Sequence, residues 1–228
     1  MGDSMEKDIL VVVDELLSQI KITSNTNNKP VTISGNVHDL SCIGIGTDAA
    51  VFQYVHEPSY AFKLYADEKR DKIQTEAKVY KELHGSPYFS KCFGAYDRYL
   101  VLSFESGITL YDCLLQGIHI PSQAIADVED ARIYAQQQNL NPRDIHLKNI
   151  LLQNGRAKVI DVSEYLKPGN DHRWEHLKKA YDEYYHLVDG KAIPIWLLET
   201  IQRWYNQRNN PSIEEFIKDV LKLKVFWK

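Results

Sequence analysis

The sequence predicts an α+β protein in which a small antiparallel sheet precedes a mainly helical second half. Short β-rich runs crowd residues 31–65, whereas apolar residues at helical spacing dominate after Gly107. The chain has 228 residues and is 44% hydrophobic, which is enough for one large domain or two small lobes around a substantial core.

Charge and cysteine content argue against several classes of protein. The formal net charge of -4 disfavours a general nucleic-acid binder, which needs a basic face toward phosphates, and disfavours binding to anionic membranes. The 3 cysteines are widely spaced and form no C-x-x-C pair, so neither a disulfide framework nor a zinc site is indicated. We therefore expect a reducing, cytoplasmic environment.

The start of the chain predicts neither a membrane anchor nor a targeting segment. The apolar run at residues 9–13 is far too short to span a bilayer, and the residues before it are acidic rather than basic. Met1-Gly2 could begin a myristoylation motif, but Glu6 stands where that motif requires Ser or Thr.

The first part of the chain predicts one helix and four short strands. Residues 4–20 carry apolar side chains at helical spacing and lead into a polar loop over 23–30. The expected strands are 31–34, 42–46, 50–55 and 60–65. A turn at 56–59 separates the last two, so we expect a small antiparallel sheet.

The remaining segments predict one further strand among helices. Residues 71–84 read as a helix with Ile73, Ala77 and Tyr80 on one face, and residues 99–104 read as a strand. The helices expected beyond Gly107 are 109–116, 122–138, 171–188, 195–206 and 212–223. Ser212 and Glu215 have the spacing of a capping box for the last of these helices.

A polar loop and the hairpin after it carry three candidate site residues. Asp144 and Asn149 precede an apolar run, a turn at Asn154-Gly155 and a second apolar run that ends at Asp161. Such a hairpin brings Asn149 and Asp161 to one end, where their oxygens would suit a hard cation such as Mg²⁺. The alternative is that all three side chains only satisfy backbone groups of loops and turns.

Lys63 and Glu76 are charged residues at positions where apolar ones are expected. Alternation puts Lys63 on the same strand face as Ala61 and Tyr65, so it either holds an anion or extends from an edge strand to water. Glu76 lies within the apolar stripe of its helix and needs a cationic partner, for which Lys63 is the candidate. Alternatively, Glu76 pairs locally with Lys72 or points into solvent.

The stretch "IGIGTDAAV" at residues 43–51 contains Gly44 and Gly46, with Ala49 where a third glycine of G-x-G-x-x-G would stand. Two glycines alone are typical of a tight hairpin. Here they lie between two predicted strands, one strand before Lys63. Backbone amides of such a loop can approach phosphates because no side chains block them.

Taken in order, these segments resemble the protein-kinase superfamily from about Ile43 to Asp161. The matching stretches are "GIGTDAAVF" for the glycine-rich loop, "AFKLY" for the V-A-I-K strand, "YLVLSFESG" for the hinge, "RDIHLKN" for the catalytic loop and "IDVS" for D-F-G, with Glu76 as the helix-C glutamate. The overall pattern is similar to compact bacterial proteins described as Ser/Thr kinases.

The resemblance implies a two-lobed, protein-kinase-like fold. Residues 1–30 would form an N-terminal helix and linker, 31–105 a small antiparallel-sheet N-lobe with helix C, and 106–228 a shortened, mainly helical C-lobe. The implied activity is ATP-dependent transfer of the γ-phosphate to a Ser/Thr hydroxyl of a protein. A nucleotide and a protein acceptor would then be the partners, with no nucleic acid and no membrane involved.

The resemblance also implies roles for single residues around ATP. Lys63 would hold the α and β phosphates, Glu76 would orient Lys63, and amides near Gly44 and Gly46 would cover the phosphates. The residues implied around adenine are Val51, Ala61, Leu102, Ser103, Phe104, Glu105 and Leu151.

The loop residues receive the remaining implied roles. Asn149 and Asp161 would ligate Mg²⁺, and Asp144 would orient the attacking hydroxyl or accept its proton. Transfer of this kind depends on positioning and charge neutralisation, so one cation, two metal ligands and one carboxylate suffice.

Departures from the family pattern leave the acceptor open. Pro142 replaces the His of H-R-D, Val162-Ser163 replace Phe-Gly, and no A-P-E follows. His146 stands where small-molecule phosphotransferases often have His, whereas Lys148 matches the Arg position of tyrosine kinases. A small-molecule or lipid kinase, and a nucleotide-binding pseudokinase without turnover, therefore remain alternatives.

Overall fold

The computed structural model describes residues 7–27 and 29–207. Within them the chain is α+β, with six α-helices and ten strands in three antiparallel sheets. The predicted helix over 212–223 and its Ser212–Glu215 capping box lie outside the described residues, as do the first residues of the helix predicted from residue 4.

The described chain begins with helix α1 (Lys7–Ser18), which covers one face of the main sheet. Its buried side chains Val13 and Leu17 pack in one cluster with Phe62 and Val101 of the sheet. The Arg98 guanidinium donates to the carbonyls of Leu17 and Ile20 at distances of 3.3 and 2.9 Å. These bonds tie the end of α1 and the residues after it to the loop before the strand that contains Val101.

A two-stranded ribbon of β1 (Lys21–Thr23) and β2 (Thr32–Ser34) follows α1. The strand predicted at 31–34 is therefore confirmed to within one residue. The sequence analysis missed β1, because a strand of this length has too few residues to show alternation.

The main sheet has five strands in the order β3-β4-β5-β7-β6, and all neighbours are antiparallel. Its strands are β3 (Leu40–Ile45), β4 (Ala49–Tyr54), β5 (Glu57–Tyr65), β6 (Cys92–Ala95) and β7 (Tyr99–Ser103). This confirms the predicted small antiparallel sheet. The position of the turn before Lys63 was wrong: Tyr54 pairs with Glu57, so Val55 and His56 form a two-residue turn.

Helix α2 (Asp71–Glu82) covers the face of this sheet opposite α1. Its buried residues Ile73 and Tyr80 pack with Leu100 and Leu102 of β7, as the apolar stripe predicts. Strand β6 was not predicted, since its residues are all half-buried and show no alternation. Only pairing with β7 defines it.

The described part of the second half, up to residue 207, contains four α-helices and a small sheet. Its elements are β8 (Ile108–Thr109), α3 (Leu110–Gln116), α4 (Ser122–Gln137), β9 (Ile150–Gln153), β10 (Arg156–Val159), α5 (Arg173–Tyr184) and α6 (Ile195–Gln207). Helices α3, α4 and α6 agree with prediction to within one residue at each end. Helix α5 is shorter than the predicted 171–188, because a 3-10 turn over residues 185–187 follows Tyr184.

The predicted hairpin consists of β9 and β10, and β8 extends it to three strands. Asn154 and Gly155 have φ of 51° and 77°, the left-handed values that a two-residue hairpin turn requires. Strand β8 was missed because it has only 2 residues.

One apolar cluster runs from the inner face of the main sheet into the helical half. It joins Leu102 and Tyr80 to residues of the second half that include Ile145, Ile150 and Val162. The segments that carry the predicted site residues are thus anchored in the same core. Among the described helices, none is long and apolar enough to cross a membrane.

Candidate functional site

Lys63 is a buried lysine at the centre of the main sheet. Strand β5 is the third of five strands, with Val51 of β4 and Leu100 of β7 paired on either side of Lys63. The lysine is only 8% exposed and shares its face with Ala61 and Tyr65, toward α2. The edge-strand alternative is therefore wrong, and a buried ammonium here requires anionic partners.

Glu76 of α2 is the first of these partners. The Lys63 Nζ donates to Glu76 Oε1 at 2.7 Å and to Oε2 at 3.0 Å, and the glutamate is 1% exposed. Burial by itself lowers the pKa of Lys63, but the carboxylates of Asp161 and Glu76 together raise it above its ordinary value. Lys72, the alternative local partner of Glu76, pairs with Asp48 instead at 2.5 Å.

Tyr65 is a further member of this group that the sequence analysis did not single out as a site residue. Its hydroxyl donates to Glu76 Oε2, and its ring is buried in the core between the sheet and α2. Strand alternation already puts Tyr65 on the face of Lys63, two residues along. That spacing was the signal that could have identified it.

Asp161 follows β10 and faces the same lysine. The distance from Lys63 Nζ to Asp161 Oδ1 is 3.4 Å, and the Ser163 N–H donates to that oxygen at 3.0 Å. Burial would raise the pKa of Asp161, but Lys63 and the Ser163 bond hold it below its ordinary value. The Tyr80 hydroxyl donates to the Ile160 carbonyl at 3.3 Å, which ties α2 to this segment.

Asn149 lies beside Asp161 at the end of the β9–β10 hairpin. Its backbone carbonyl accepts the Ile160 N–H at 3.0 Å, so the residues before β9 and after β10 meet, as the hairpin pattern predicts. The Asn149 side-chain amide donates to the Asp144 carbonyl at 3.2 Å. This bond agrees with the alternative that Asn149 satisfies a backbone group of the loop. The bond uses only the amide NH₂ group, so the Oδ1 oxygen of Asn149 is left for a metal ion.

Asp144 is held from the other side by the start of α5. Its φ of 57° is left-handed, and its N–H donates to Asp171 Oδ2 at 2.7 Å. Its carboxylate pairs with the Arg173 guanidinium at 2.5 Å. Burial, opposed by Arg173 and assisted by neighbouring carboxylates such as Asp161, raises the pKa of Asp144 to about 6.

The sequence analysis missed Asp171 and Arg173. Both stand at the start of a predicted helix, and no local pattern links them to a loop nearly thirty residues earlier. Only the folded structure, which brings them into contact with Asp144, identifies them as site residues. His146, which did draw attention, is half-buried, and burial together with Arg173 lowers its pKa to about 4. It is therefore a neutral side chain near neutral pH.

The turn between β3 and β4 that contains Gly46, here called the glycine turn, was expected to offer free backbone amides to phosphates. The Gly46 N–H donates to the Ala49 carbonyl at 2.9 Å, so this particular amide is already used within the turn. Asp48 at the tip pairs with Lys72 at 2.5 Å and with Lys69 at 3.6 Å. The turn is thus tied to the start of α2, and its carboxylate is neutralised by two lysines.

The predicted adenine-site residues lie on four strands, β4, β5, β7 and β9, and at the two positions after β7. Ala61 of β5 pairs with Leu102 of β7, and the side chains of Leu102 and Leu151 are both buried. After Leu102, the Phe104 N–H donates to the Ser59 carbonyl at 2.9 Å and is not available to a ligand. Within the described residues the Glu105 N–H donates to no acceptor.

The Glu105 side chain is held at the edge of this region. It accepts from the Ser103 hydroxyl at 2.5 Å and pairs with Lys158 of β10 at 2.7 Å. These contacts join the strand that contains Ser103 to the β9–β10 hairpin. The sequence analysis did not predict Lys158 as a partner of Glu105.

The candidate metal ligands that the sequence predicts are Asn149 and Asp161. Among the residues that the structure describes, no group of three or more His, Cys, Asp or Glu could hold a metal ion. The side chains of Asp161 and Asn149 would supply only two oxygen ligands, so a Mg²⁺ ion held by them would need waters and substrate phosphates as its other ligands.

The chain belongs to a kinase-like family, because it is 33% identical over 172 residues to a curated relative. The relative that establishes this is the protein named "Putative serine/threonine-protein kinase YrzF" of Bacillus subtilis (strain 168). The match covers 74% of this chain and 80% of that protein. No protein-family model matches the chain.

Proposed function

We propose that the chain is an ATP-dependent protein kinase that transfers the γ-phosphate to a Ser or Thr hydroxyl of a protein. The observation that carries the proposal is the buried Lys63, held by Glu76 at 2.7 Å and facing Asp161 at 3.4 Å. A cation fixed between two carboxylates is suited to receive a polyphosphate and a metal ion together. The name of the Bacillus subtilis relative supports the same acceptor class.

In this proposal the molecule has two lobes with the nucleotide between them. Residues 31–105 form the N-lobe, 106–228 form the C-lobe, and 1–30 contribute an N-terminal helix and linker. The packing of α2 against the main sheet and the separate three-stranded sheet support this division. The site residues come from both parts, since Lys63 and Glu76 belong to the first and Asp144 and Asp161 to the second.

ATP would lie with its phosphates toward Lys63 and its adenine toward the β7 end. Lys63 would bind the α and β phosphates, and amides of the glycine turn near Gly44 would cover them. The Glu105 N–H and the Ser103 carbonyl would bind the adenine edge. The side chains proposed around the ring are Val51, Ala61, Leu102, Phe104 and Leu151.

Asn149 and Asp161 fit a Mg²⁺ ion, because both offer hard oxygen donors and Asp161 is held ionised by its neighbours. When bound, the ion would neutralise charge on the transferring phosphate. Asp144 would orient the acceptor hydroxyl and accept its proton. Because Arg173 pairs with Asp144, the acceptor has to share or replace that contact.

A small-molecule acceptor is the second candidate, and the segment after Asp161 favours it. The segment 162–172 is short, and side chains of the proposed catalytic loop hydrogen-bond to it. Asn141 donates to the carbonyls of Lys167 and Gly169 at 2.6 and 2.7 Å, and Arg143 donates to the carbonyl of Pro168. Such a segment offers little surface for docking a peptide. A panel of alcohols and sugars, assayed beside protein acceptors, separates the two candidates.

Asp144→Asn tests the proposal most directly. Transfer of labelled γ-phosphate to a protein acceptor, or to the chain itself, should fall to background, because the amide cannot accept the proton. Binding of Mg-ATP, measured by calorimetry, should stay within about threefold of wild type, since Asp144 lies on the acceptor side.

Asp97→Asn is the matched control, because it removes an exposed carboxylate far from the loop and should retain wild-type transfer. A wild-type protein that binds Mg-ATP but phosphorylates no acceptor under varied metals and acceptors would contradict the proposal. Retained transfer by Asp144→Asn would contradict the assigned role of Asp144.

A further inference from the structure

Tyr65 completes the set of partners around Glu76. Glu76 Oε1 accepts one bond from Lys63, whereas Oε2 accepts the longer one, at 3.0 Å, and also the Tyr65 hydroxyl. Lys63 and Tyr65 lie two residues apart on β5, so one strand face supplies both donors to the same carboxylate. The tyrosine therefore adds a neutral donor to an ion pair.

This neutral donor matters because two carboxylates share a single ammonium group. Lys63 faces Asp161 as well as Glu76; Lys63 and Glu76 are buried, and the Asp161 side chain is partly exposed. Burial raises the pKa of Glu76, and Lys63 opposes that rise. Any contact that draws Lys63 away thus removes stabilisation from the Glu76 carboxylate.

We infer that Tyr65 is a positioning residue, whose hydroxyl keeps the Glu76 carboxylate in place when Lys63 turns one of its N–H groups toward substrate phosphates. This inference rests on the proposed function, since it presumes that phosphates bind at Lys63. Without the hydroxyl, Glu76 Oε2 depends on Lys63 alone, so the lysine has to serve phosphate and glutamate with the same three protons. Lys63 would then be placed less accurately in the transition state.

Tyr65→Phe isolates this effect, because it removes the hydroxyl and leaves the buried ring in the core. We expect kcat at saturating Mg-ATP to fall about tenfold or more, the scale of a lost hydrogen bond to a charged group. Tyr99→Phe is the matched control. It removes the hydroxyl of a buried tyrosine near the Asp14 carboxylate, on the opposite face of the same sheet.

The kinetics of the two variants decide the inference for an active protein, with assays run well below each melting temperature. A fall in kcat in Tyr65→Phe that Tyr99→Phe does not share supports it, whatever happens to KM for ATP. An unchanged kcat, or an equal fall in both variants, overturns it, because the hydroxyl would then contribute only to folding.

Failure of the proposed function is a separate result, visible as a wild-type protein without transfer activity. The crystal structure of Tyr65→Phe without nucleotide then decides the inference. Displacement of the Glu76 carboxylate, with a longer Lys63–Glu76 contact than in wild type, supports a positioning role. An ion pair that keeps both of its contacts near 2.7 and 3.0 Å overturns it.

Discussion

Lys63 and Glu76 meet at 2.7 Å in a position closed to water, whereas Asp144 and Arg173 meet at 2.5 Å where both side chains are more than a third exposed. Similar distances therefore describe pairs of different energy. Removing one member of a buried pair leaves an uncompensated charge, but an exposed pair is screened by solvent and contributes little. We therefore expect the loss of one member of the Lys63–Glu76 pair to cost more stability than the loss of one member of the Asp144–Arg173 pair.

The largest expected effect is that of Lys63→Met. The substitution keeps most of the aliphatic stem but leaves the buried Glu76 carboxylate without its cation, so it should cost about 3–5 kcal/mol of unfolding free energy. Urea unfolding measures this value. Transfer of phosphate should be lost as well.

Lys178→Met is the matched control for this comparison. Lys178 pairs with Asp182 at the same distance of 2.7 Å, but on the exposed face of α5. Its loss should cost no more than about 0.5 kcal/mol. Equal destabilisation by the two substitutions would show that burial does not distinguish these pairs.

A smaller effect is expected from pH and Arg173. Asp144 has to be ionised to accept a proton, and its pKa is raised to about 6, so kcat/KM should fall as the pH drops through that value. Arg173 lowers this pKa, so Arg173→Gln should move the acid limb to higher pH.

The pH profile of kcat/KM, measured from pH 5 to 8, tests this expectation. Lys178→Gln, which alters an exposed lysine on the same helix, should keep the wild-type profile. An acid limb that does not move in Arg173→Gln would show that the ion pair has no influence on Asp144 during turnover.

The smallest effect is expected at the glycine turn. Lys72→Gln removes the closest partner of Asp48 and leaves only Lys69, at 3.6 Å, beside that carboxylate. Without the Lys72 charge, the Asp48 carboxylate near the proposed phosphate site is less well neutralised. This should weaken Mg-ATP binding roughly two- to fivefold, and salt should reduce the effect. Lys81→Gln, at the other end of α2, should bind Mg-ATP like wild type, and calorimetry would compare the two. Equal affinities of the two variants for Mg-ATP would show that the charge of Asp48 at the glycine turn does not influence nucleotide binding.

Sequence reasoning was accurate where a short segment carries its own pattern. The stripe of Ile73 and Tyr80 on α2 and the turn at Asn154-Gly155 each depend on residues within a few positions of one another. Lys63 and Glu76 were found because each breaks such a pattern. A charged residue on an apolar face requires a partner, and its neighbours in sequence reveal that face.

The errors occurred where local pattern is weak. Strands β1 and β8 are too short for periodicity, and β6 is half-buried throughout, so neither length nor alternation marks them. The turn before Lys63 was misplaced because Pro58 is a common turn residue, yet in the structure it lies within β5. Cross-strand pairing with β4 outweighed that local preference.

Spacing along the chain was enough to indicate the α+β class, the main sheet and the order of the candidate site residues, because propensities and periodicities act over a few residues. The partners of those residues depend on folding. Arg173 meets Asp144 across nearly thirty residues, and Tyr65 and Glu76 meet only because α2 packs on the face of β5. Burial creates the need for such partners, and burial is set by the packing of distant segments rather than by neighbours in sequence.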